Sequence, residues 1–199
     1  MARTAGFGAI RRTLQISNYR RYMAGNFCSQ LGMWVQRIAI QWLTWELTRS
    51  NFWLGAIAFA DLFPTIVITP FAGVIADRVN RLNMSRLCQT LAGIHAFILS
   101  ALTFSGFIEI WSLFALTFFL GIVLGVNTAA RLAMVPNLLP LKYVPSAVAM
   151  DSALFNIARF LGPAIAGVII ATWGVWPAFL FNTVTFVIYL AALFMARLV

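Results

Sequence analysis

The fold is decided by a short stretch in which an apolar run gives way to charge, Gly73-Val74-Ile75-Ala76-Asp77-Arg78-Val79-Asn80-Arg81. The run that ends there, 53–76, holds one charged residue, Asp61, and exceeds the roughly 20 residues that a helix needs to cross a bilayer. A second apolar run, 86–105, begins directly after the charged loop. Two long apolar runs joined by a short polar loop predict two antiparallel membrane-spanning helices.

The same alternation of apolar runs and short polar loops extends in both directions from this loop. It predicts an all-α membrane protein with six transmembrane helices in a domain that spans 22–196. A basic segment, 1–21, precedes this domain, and 197–199 follow it. The predicted helices are 22–46, 53–76, 86–105, 111–134, 146–171 and 177–196.

The composition also indicates a membrane. Hydrophobic residues make up 62% of the chain, charged residues make up 10%, and the mean hydropathy is +0.89. A water-soluble domain cannot bury that much apolar surface, whereas a bilayer covers it. A net charge of +9 is also typical of nucleic-acid-binding proteins. Here the basic residues lie between apolar runs, so we expect a lipid bilayer and no nucleic acid as the partner.

The basic residues predict the orientation of the helices. If the amino terminus is cytoplasmic, Arg49 is the only basic residue in the loops on the outer side. Such an asymmetry is the positive-inside pattern, which predicts a multi-pass protein of the cell inner membrane with both termini cytoplasmic. The residues on the inner side are Arg3, Arg11, Arg12, Arg20, Arg21, Arg78, Arg81, Arg86, Arg131, Lys142 and Arg197.

The two cysteines, Cys28 and Cys88, are isolated within apolar runs. Their isolation excludes a disulfide framework, and we expect neither a metal site nor a cofactor. No small-residue cleavage site follows a short apolar core near the start of the chain, so the first apolar run is expected to be retained as a helix.

A faint internal echo relates the second and fifth predicted helices. One contains Pro70-Phe71-Ala72-Gly73-Val74-Ile75, and the other contains Pro163-Ala164-Ile165-Ala166-Gly167-Val168-Ile169. The two helices cross the membrane in opposite directions, as an inverted three-plus-three repeat requires. Gly, Ala and Pro are common in membrane helices, so such an echo also arises by chance.

Polar residues in the apolar runs share helix faces at the helical angle of about 100° per residue. Inside a bilayer such faces must line a cavity or find partners. We therefore predict that the first, second, fourth and fifth helices surround a cavity and that the third and sixth are more peripheral. The faces are Asn26, Gln30, Arg37, Gln41 and Thr44; Asp61 and Thr65; a small-residue seam at Gly121 and Gly125; and Ser152, Asn156, Arg159, Pro163 and Gly167.

Three charges fall inside predicted helices. Arg37 and Asp61 both lie roughly 4–5 Å beyond the bilayer midplane at about 1.5 Å rise per residue, so they are expected to pair. An unpaired charge at that depth costs at least about 2.5 kcal/mol. Arg159 has no acidic partner at its depth, so it is expected either to face water or an anionic ligand, or to hold two helices together.

Two further titratable residues have more ordinary interpretations. Asp151 is expected to pair with Arg131 at the inner end of the fourth helix. His95, the single histidine, lies opposite the small-residue face of its helix, so it is expected to point outward or into a minor contact.

The stretch Gly73 to Arg81 resembles the major facilitator loop signature G-x-x-x-D-R-x-x-R, and Arg159-Phe160-Leu161-Gly162-Pro163 with Gly167 resembles the Gly-Pro signature on the fifth helix of its exporters. Further similarity lies in Trp34-Val35-Gln36-Arg37, in Glu46-Leu47-Thr48-Arg49-Ser50 and in the run from Ala130 to Pro140. The sequence is most similar to the branch of enterobactin exporters and macrolide-efflux-like proteins. This resemblance implies the amino-terminal six-helix half of a major facilitator transporter.

The resemblance also implies a conformational latch on the inner side, formed by Gly73, Asp77, Arg78 and Arg81. In this interpretation Gly73 lets the second helix approach a neighbour, and Asp77 meets the positive end of a partner helix. Two positions depart from the family pattern. Asn80 stands where many members have Gly, although Asn tolerates a left-handed backbone, and Leu82 stands where a second basic residue is common.

The leading functional prediction is export of a small molecule, siderophore-like or drug-like, by alternating access. A proton gradient is the drive that the resemblance implies. Asp61 is the candidate protonatable group, with Arg37 modulating its protonation. The remaining candidates for the substrate path are Gln30, Gln41, Asn156 and Arg159. The predicted path contains two arginines and one aspartate, and this excess of positive charge favours anionic or amphipathic substrates.

Two other classes of function compete with export. An intramembrane protease needs a Ser–His pair or two aspartates, but the sequence has one histidine, no G-x-S-x-G motif and one deep aspartate, so an enzyme is not expected. A non-transporting remnant or a membrane assembly module is the alternative. A transporter needs a second six-helix half, which would be either a missing carboxy-terminal half or a second copy of the chain.

Overall fold

The computed structural model describes residues 13, 15–76, 78–134 and 139–195. Six long helices make up most of these residues, and a 3-10 turn at Leu141–Tyr143 precedes the fifth. The all-α, six-helix architecture is therefore confirmed. The helices are α1 Ser17–Thr48, α2 Asn51–Ala76, α3 Arg81–Phe104, α4 Ile110–Met134, α5 Val144–Trp173 and α6 Trp176–Met195.

Two helices, α1 and α3, begin five residues earlier than the hydropathy pattern predicts. α3 begins at Arg81 since the Asn80 side-chain oxygen accepts hydrogen bonds from the backbone N–H groups of Leu82 and Asn83, at 3.0 and 3.2 Å. Asn80 has φ −67°, so it acts as a helix cap and not as a left-handed residue. α1 begins at Ser17, so the end of the predicted basic segment is helical.

Within the described residues, five helices are long and apolar enough to cross a membrane: α2, α3, α4, α5 with its preceding turn, and α6. α1 falls short because its polar residues lower its hydropathy, among them Asn26, Gln30, Gln36, Arg37 and Gln41. All of these side chains are at least partly buried, and Asn26, Gln30 and Gln36 are almost completely buried. α1 is therefore the central helix of the bundle and depends on its neighbours to cover its polar groups.

The packing of the helices follows an inverted repeat of α1–α3 and α4–α6. The contact of α2 with α4 corresponds to the contact of α5 with α1. The contact of α1 with α6 corresponds to the contact of α4 with α3. α3 also packs against α6. Exchanging α1 with α4, α2 with α5 and α3 with α6 leaves this set of main contacts unchanged, and each exchanged pair runs in opposite directions. The three-plus-three arrangement inferred from the sequence echo is thus present in the packing.

Glycines bring the main helix pairs close together. A β-carbon at Gly121 would lie 2.9 Å from the backbone oxygens of Ala60 and Asp61, so the predicted Gly121–Gly125 seam does set the distance between α4 and α2. A second seam, missed in the sequence, joins α1 to α6: a β-carbon at Gly25 would lie 2.7 Å from the Ala192 β-carbon. Gly32, two turns on, lies against Thr185 and Asn182.

The two ends of the bundle differ in chemistry. The end at which α1, α3 and α5 begin, here called the basic end, carries Arg20, Arg21, Arg78, Arg81, Arg86 and Lys142. The opposite end, here called the tryptophan end, carries Trp42, Trp45, Trp53, Trp111, Trp173 and Trp176. The rings of Trp53 and Trp111 meet edge to face, 4.9 Å apart. Tryptophans concentrate at membrane–water interfaces, so the tryptophan end marks one edge of the apolar slab.

Candidate functional site

The predicted ion pair between α1 and α2 is present. Arg37 Nε lies 2.9 Å from Asp61 Oδ2, and the two side chains keep 28% and 17% of their exposure. They face a cavity of about 280 Å³ enclosed by α1, α2 and α4, here called the first cavity, which Gln41 and Thr117 also line. The rest of its lining is mainly apolar, so the pair is the main charged feature of this cavity.

Trp34 connects this pair to α5. The guanidinium of Arg37 lies 5.0 Å from the centre of the Trp34 ring, and that of Arg159 lies 5.6 Å from the same ring. The Phe155 ring meets the indole edge to face at 5.7 Å. Both arginines are within cation–π range of one indole, which holds two positive charges close together with one carboxylate, Asp61, to balance them. Trp34 entered the sequence-based prediction only as part of a family motif.

Two predicted residues of the substrate path lie on the open face of α5. Arg159 and Asn156 are exposed, and the Asn156 amide donates to the backbone oxygen of Ser152 on its own helix. Nothing in the described bundle covers this face, so Arg159 is exposed there while its guanidinium lies beside the Trp34 ring. Charge is costly against lipid, so this face is expected to meet water or protein.

A second ion pair lies nearer the basic end, between α4 and α5. Arg131 Nη1 is 3.5 Å from Asp151 Oδ1, as the sequence predicted. Asn26 of α1 bridges the two, since its Nδ2 donates to Asp151 Oδ1 at 2.7 Å and its Oδ1 accepts from Arg131 Nη1 at 3.2 Å. Asn26 was predicted to line a cavity with Arg37, and it does line one with Arg37; its amide is in addition the link between α1, α4 and α5.

A second cavity, of about 180 Å³, lies between the two ion pairs and receives residues from all six helices. Gln30 lines it, as does Arg37 at one end, with Asn26 and Arg131 at the other. The prediction that α3 and α6 are peripheral is therefore wrong in part, because they contribute Gln89, Phe186 and Tyr189 to this polar interior. The inward faces of both helices carry side chains that lie at the centre of the six-helix unit.

Another buried polar contact was not predicted from the sequence. Asn182 Nδ2 of α6 donates to Gln36 Oε1 of α1 at 2.8 Å, and both side chains are at most 1% exposed. Gln36 lies next to Arg37 in the chain, so it points away from the predicted polar face of α1. In the sequence, Gln36 is a polar residue outside the predicted polar face of α1. Such a residue indicates that a second face of α1 is buried against another helix.

His95 does not point outward, which was one of the two alternatives predicted for it. The side chain is 1% exposed and lies beside Phe119 of α4, with ring centres 6.4 Å apart. α3 packs on both α4 and α6, so the face opposite its small residues is covered as well. No group of three or more His, Cys, Asp or Glu side chains comes together among the residues that the structure describes.

The proposed latch is described only in part. Asp77 lies outside the described residues. A β-carbon at Gly73 would meet nothing within 4 Å in the described chain, so Gly73 does not bring two helices of this six-helix unit together. Arg78 is exposed, with its N–H bonded to the Ile75 oxygen, and Arg81 opens α3.

The two glycines of the Gly-Pro motif of α5 have different surroundings. Gly162 is buried and packs on the β-carbon and backbone of Trp34, so it sets the distance between α5 and α1. Pro163 follows it inside the helix. Gly167 is exposed, and a β-carbon there would meet nothing within 4 Å in the described chain. Gly167 instead borders a crevice of about 390 Å³ between the ends of α1 and α5 at the tryptophan end.

A bundle of apolar helices whose charged residues pair in its interior defines a multi-pass membrane protein with a polar path inside it. The sequence matches the family described as transmembrane secretion effectors over residues 9–199. The chain therefore belongs to this family of major facilitator transporters.

Individual relatives agree with this assignment. The chain is 30% identical to the staphyloferrin A transporter of Staphylococcus aureus over 168 residues, covering 84% of this chain and 42% of that protein. It is 25% identical to the uncharacterised transporter YfiS of Bacillus subtilis, covering 86% and 40%. It is 23% identical to macrolide efflux protein A of Streptococcus pyogenes, covering 75% and 37%. The chain thus spans about two fifths of the length of these relatives. No solved structure matches it significantly.

Proposed function

We propose that this chain forms the first six-helix half of a proton-coupled transporter that exports a small molecule by alternating access. The observation that carries the proposal is the Arg37–Asp61 pair, which faces a cavity in the middle of the helices. A carboxylate at that depth is tolerated while it is paired, and a proton can replace the arginine as its partner. Protonation of Asp61 would release Arg37, which gives a two-state element that a proton gradient can bias.

The proposed substrate is anionic or amphipathic. Arg37 and Arg159 both lie beside the Trp34 ring, and Asp61 balances only one of them. A ligand with a carboxylate and an apolar or aromatic body would satisfy the second guanidinium and lie against the indole and the apolar wall of the first cavity. A siderophore transporter and a macrolide efflux protein among the relatives are consistent with export of such compounds.

The complete transporter needs a second six-helix unit against the open faces of α2 and α5. Both faces expose large apolar side chains, such as Phe59 on α2 and Phe160 on α5, together with the charge of Arg159. The unit is either the remainder of a longer chain or a second copy, since two major facilitator halves are parallel repeats about an axis along the membrane normal. The positive-inside pattern supports an orientation in which the basic end and both termini lie on the cytoplasmic side of the inner membrane.

The inner-side latch remains part of the proposal. Arg78 is exposed at the end of α2 and Arg81 begins α3, so both stand at the basic end where a second unit would meet the first. Together with Asp77 they would hold that end closed while the cavity opens toward the tryptophan end. Gly73 leaves open space beside α2, which a helix of the second unit could occupy.

Transport across inside-out vesicles that contain the full chain tests the proposal, with staphyloferrin A and a macrolide as probes and an imposed pH gradient as the drive. Asp61→Asn should abolish gradient-driven accumulation of the transported probe at normal protein levels. The matched control is Glu46→Gln at the tryptophan end, where an exposed carboxylate accepts from Trp42 Nε1 at 2.7 Å and should be dispensable. Undiminished gradient-driven transport by the Asp61 variant would remove Asp61 from the coupling, and transport of neither probe by the unchanged protein would favour a non-transporting module.

A further inference from the structure

The two interior ion pairs occupy equivalent places in the inverted repeat. Arg37 lies almost as far from the start of α1 at Ser17 as Arg131 lies from the start of α4 at Ile110. Their partners are also equivalent, because Asp61 and Asp151 lie in the first halves of α2 and α5. Since the two repeats run in opposite directions, the pairs lie toward opposite ends of the bundle.

The second cavity lies between these pairs and contains unsatisfied amides. Gln30 and Gln89 are 4% and 3% exposed, and Gln30 Nε2 and Gln89 Oε1 have no hydrogen-bond partner among the described residues. A buried polar group without a hydrogen-bond partner is unfavourable. The cavity volume of about 180 Å³ is several times the roughly 10–15 Å³ that one water needs. Several waters can therefore occupy this space and bond to both amides.

The second cavity also has charged or amide side chains at each end. Arg37 lines both this cavity and the first one, so its side chain stands between the second cavity and Asp61. At the other end, Asn26 and Arg131 line the cavity and hold Asp151, whose side chain keeps 27% of its exposure. The charged and titratable groups that face Asp151 are Arg131 of α4, Tyr19 and Tyr22 of α1 and Tyr189 of α6; Asp61 is faced by Arg37 of α1.

We propose that the second cavity is a water-filled path inside this six-helix half that carries protons between Asp151 and Asp61, with Asp151 as a second proton-exchange carboxylate. The inference rests on the proposed proton coupling, to which it adds a route. A proton from water at the basic end binds a carboxylate oxygen of Asp151, and a proton then passes along the waters bonded to Gln30 and Gln89. The transfer leaves Asp151 ionised and Asp61 neutral, and Asp61 later returns the proton to water on the other side.

Hydration is tested first, without any transport assay, by radiolytic hydroxyl-radical labelling of the full chain in proteoliposomes. Phe186 and Phe179 form a matched pair on α6, since both are at most 2% exposed and both belong to apolar core clusters, but Phe186 lines the second cavity and Phe179 does not. Radicals form from nearby water, so Phe186 should be modified at least tenfold faster than Phe179. Equal, slow modification of both rings would show a dry cavity and overturn the proposal.

The route is tested by the rate at which the Asp61 carboxyl group responds to a pH jump. Time-resolved infrared absorption follows its carbonyl band, which Asp61→Asn identifies by removing it. Gln30→Leu with Gln89→Leu should slow the response at least tenfold and abolish the labelling of Phe186. The double variant Gln30→Asn with Gln89→Asn keeps the cavity polar and should recover most of the rate that the leucine variant loses. Thermal unfolding of each variant verifies that it folds.

The outcomes separate this inference from the proposed function. A labelled Phe186 and a slowed Asp61 response, in a protein that moves no substrate, would retain the water path and contradict export. Proton-coupled transport with an unchanged Asp61 response in the leucine variant would retain export and overturn the path. An Asp151→Asn variant gives a further check, because removal of the entry carboxylate should also slow the response of Asp61.

Discussion

Gly162 of α5 lies directly against Trp34 of α1, and the Trp34 β-carbon occupies the space that any side chain at position 162 would need. The same Trp34 ring lies beside Arg37 and Arg159. The contact between Gly162 and Trp34 therefore helps to fix how far apart the two guanidinium groups of the candidate site are held.

Gly162→Ala is expected to destabilise the protein by about 1–3 kcal/mol, because the added methyl forces α5 away from a packed neighbour. Gly167→Ala in the same motif is the control and should change stability by less than about 0.5 kcal/mol, since its β-carbon meets nothing within 4 Å in the described chain. Thermal unfolding of the purified protein in detergent measures both. Equal unfolding temperatures for the two variants would contradict the assigned packing.

Asn26→Ala is expected to destabilise the protein by about 2 kcal/mol, because the Asp151 carboxylate loses a buried hydrogen bond and Arg131 loses an acceptor. Asn156→Ala is the matched control, since that amide is exposed and bonds only to the backbone of its own helix. Denaturant or thermal unfolding compares the two. A double-mutant cycle with Asp151→Asn should show coupling between positions 26 and 151, and additive effects would argue against the bridge.

Arg86→Lys is expected to loosen the end of α6. The Arg86 guanidinium donates from Nε and Nη2 to the Leu193 oxygen, at 3.3 and 2.9 Å, and lies 4.6 Å from the Phe194 ring centre. An ammonium group cannot reproduce this forked contact. Hydrogen exchange should therefore be faster over the last turn of α6 in the variant. Arg78→Lys, at an exposed position, should leave that exchange unchanged.

Asn80→Ala is expected to destabilise α3 by about 1 kcal/mol, because the two N–H groups that the Asn80 side chain caps lose their acceptor. Asn80→Asp keeps the acceptor and should be close to neutral, while Asn80→Gly should cost only a few tenths of a kcal/mol. Unfolding temperatures of the three variants rank these effects. A glycine variant more stable than the unchanged protein would instead indicate a left-handed backbone at this position.

The sequence predicted the helices and both ion pairs because those features depend on composition and on depth along one helix. Arg37 and Asp61 carry depth information in their distance from the helix ends, as do Arg131 and Asp151. The sequence also predicted the Gly121–Gly125 seam, since that spacing places both residues on one face.

The features that the sequence did not predict depend on which helices become neighbours. His95 is covered because α3 has packed neighbours on both sides, and the Gln36–Asn182 bond requires α1 to lie along α6. Helical periodicity shows that a face is polar or small, but it does not name the helix that meets it. Gly73 and Gly162 look alike in a sequence motif, yet only Gly162 has a helix against it in the described unit.

The extensive neighbours of α1 are α5 and α6, whereas its contact with α2 is slight. α1 is also the one long helix of the described chain that falls short of the hydropathy of a membrane span. During synthesis, the helix least able to reside alone in lipid is thus made before the two that cover it. Its stable insertion must await the emergence of α5 and α6, so a ribosome stalled before α5 should leave α1 loosely held at the translocon, where glycosylation or protease mapping can detect it.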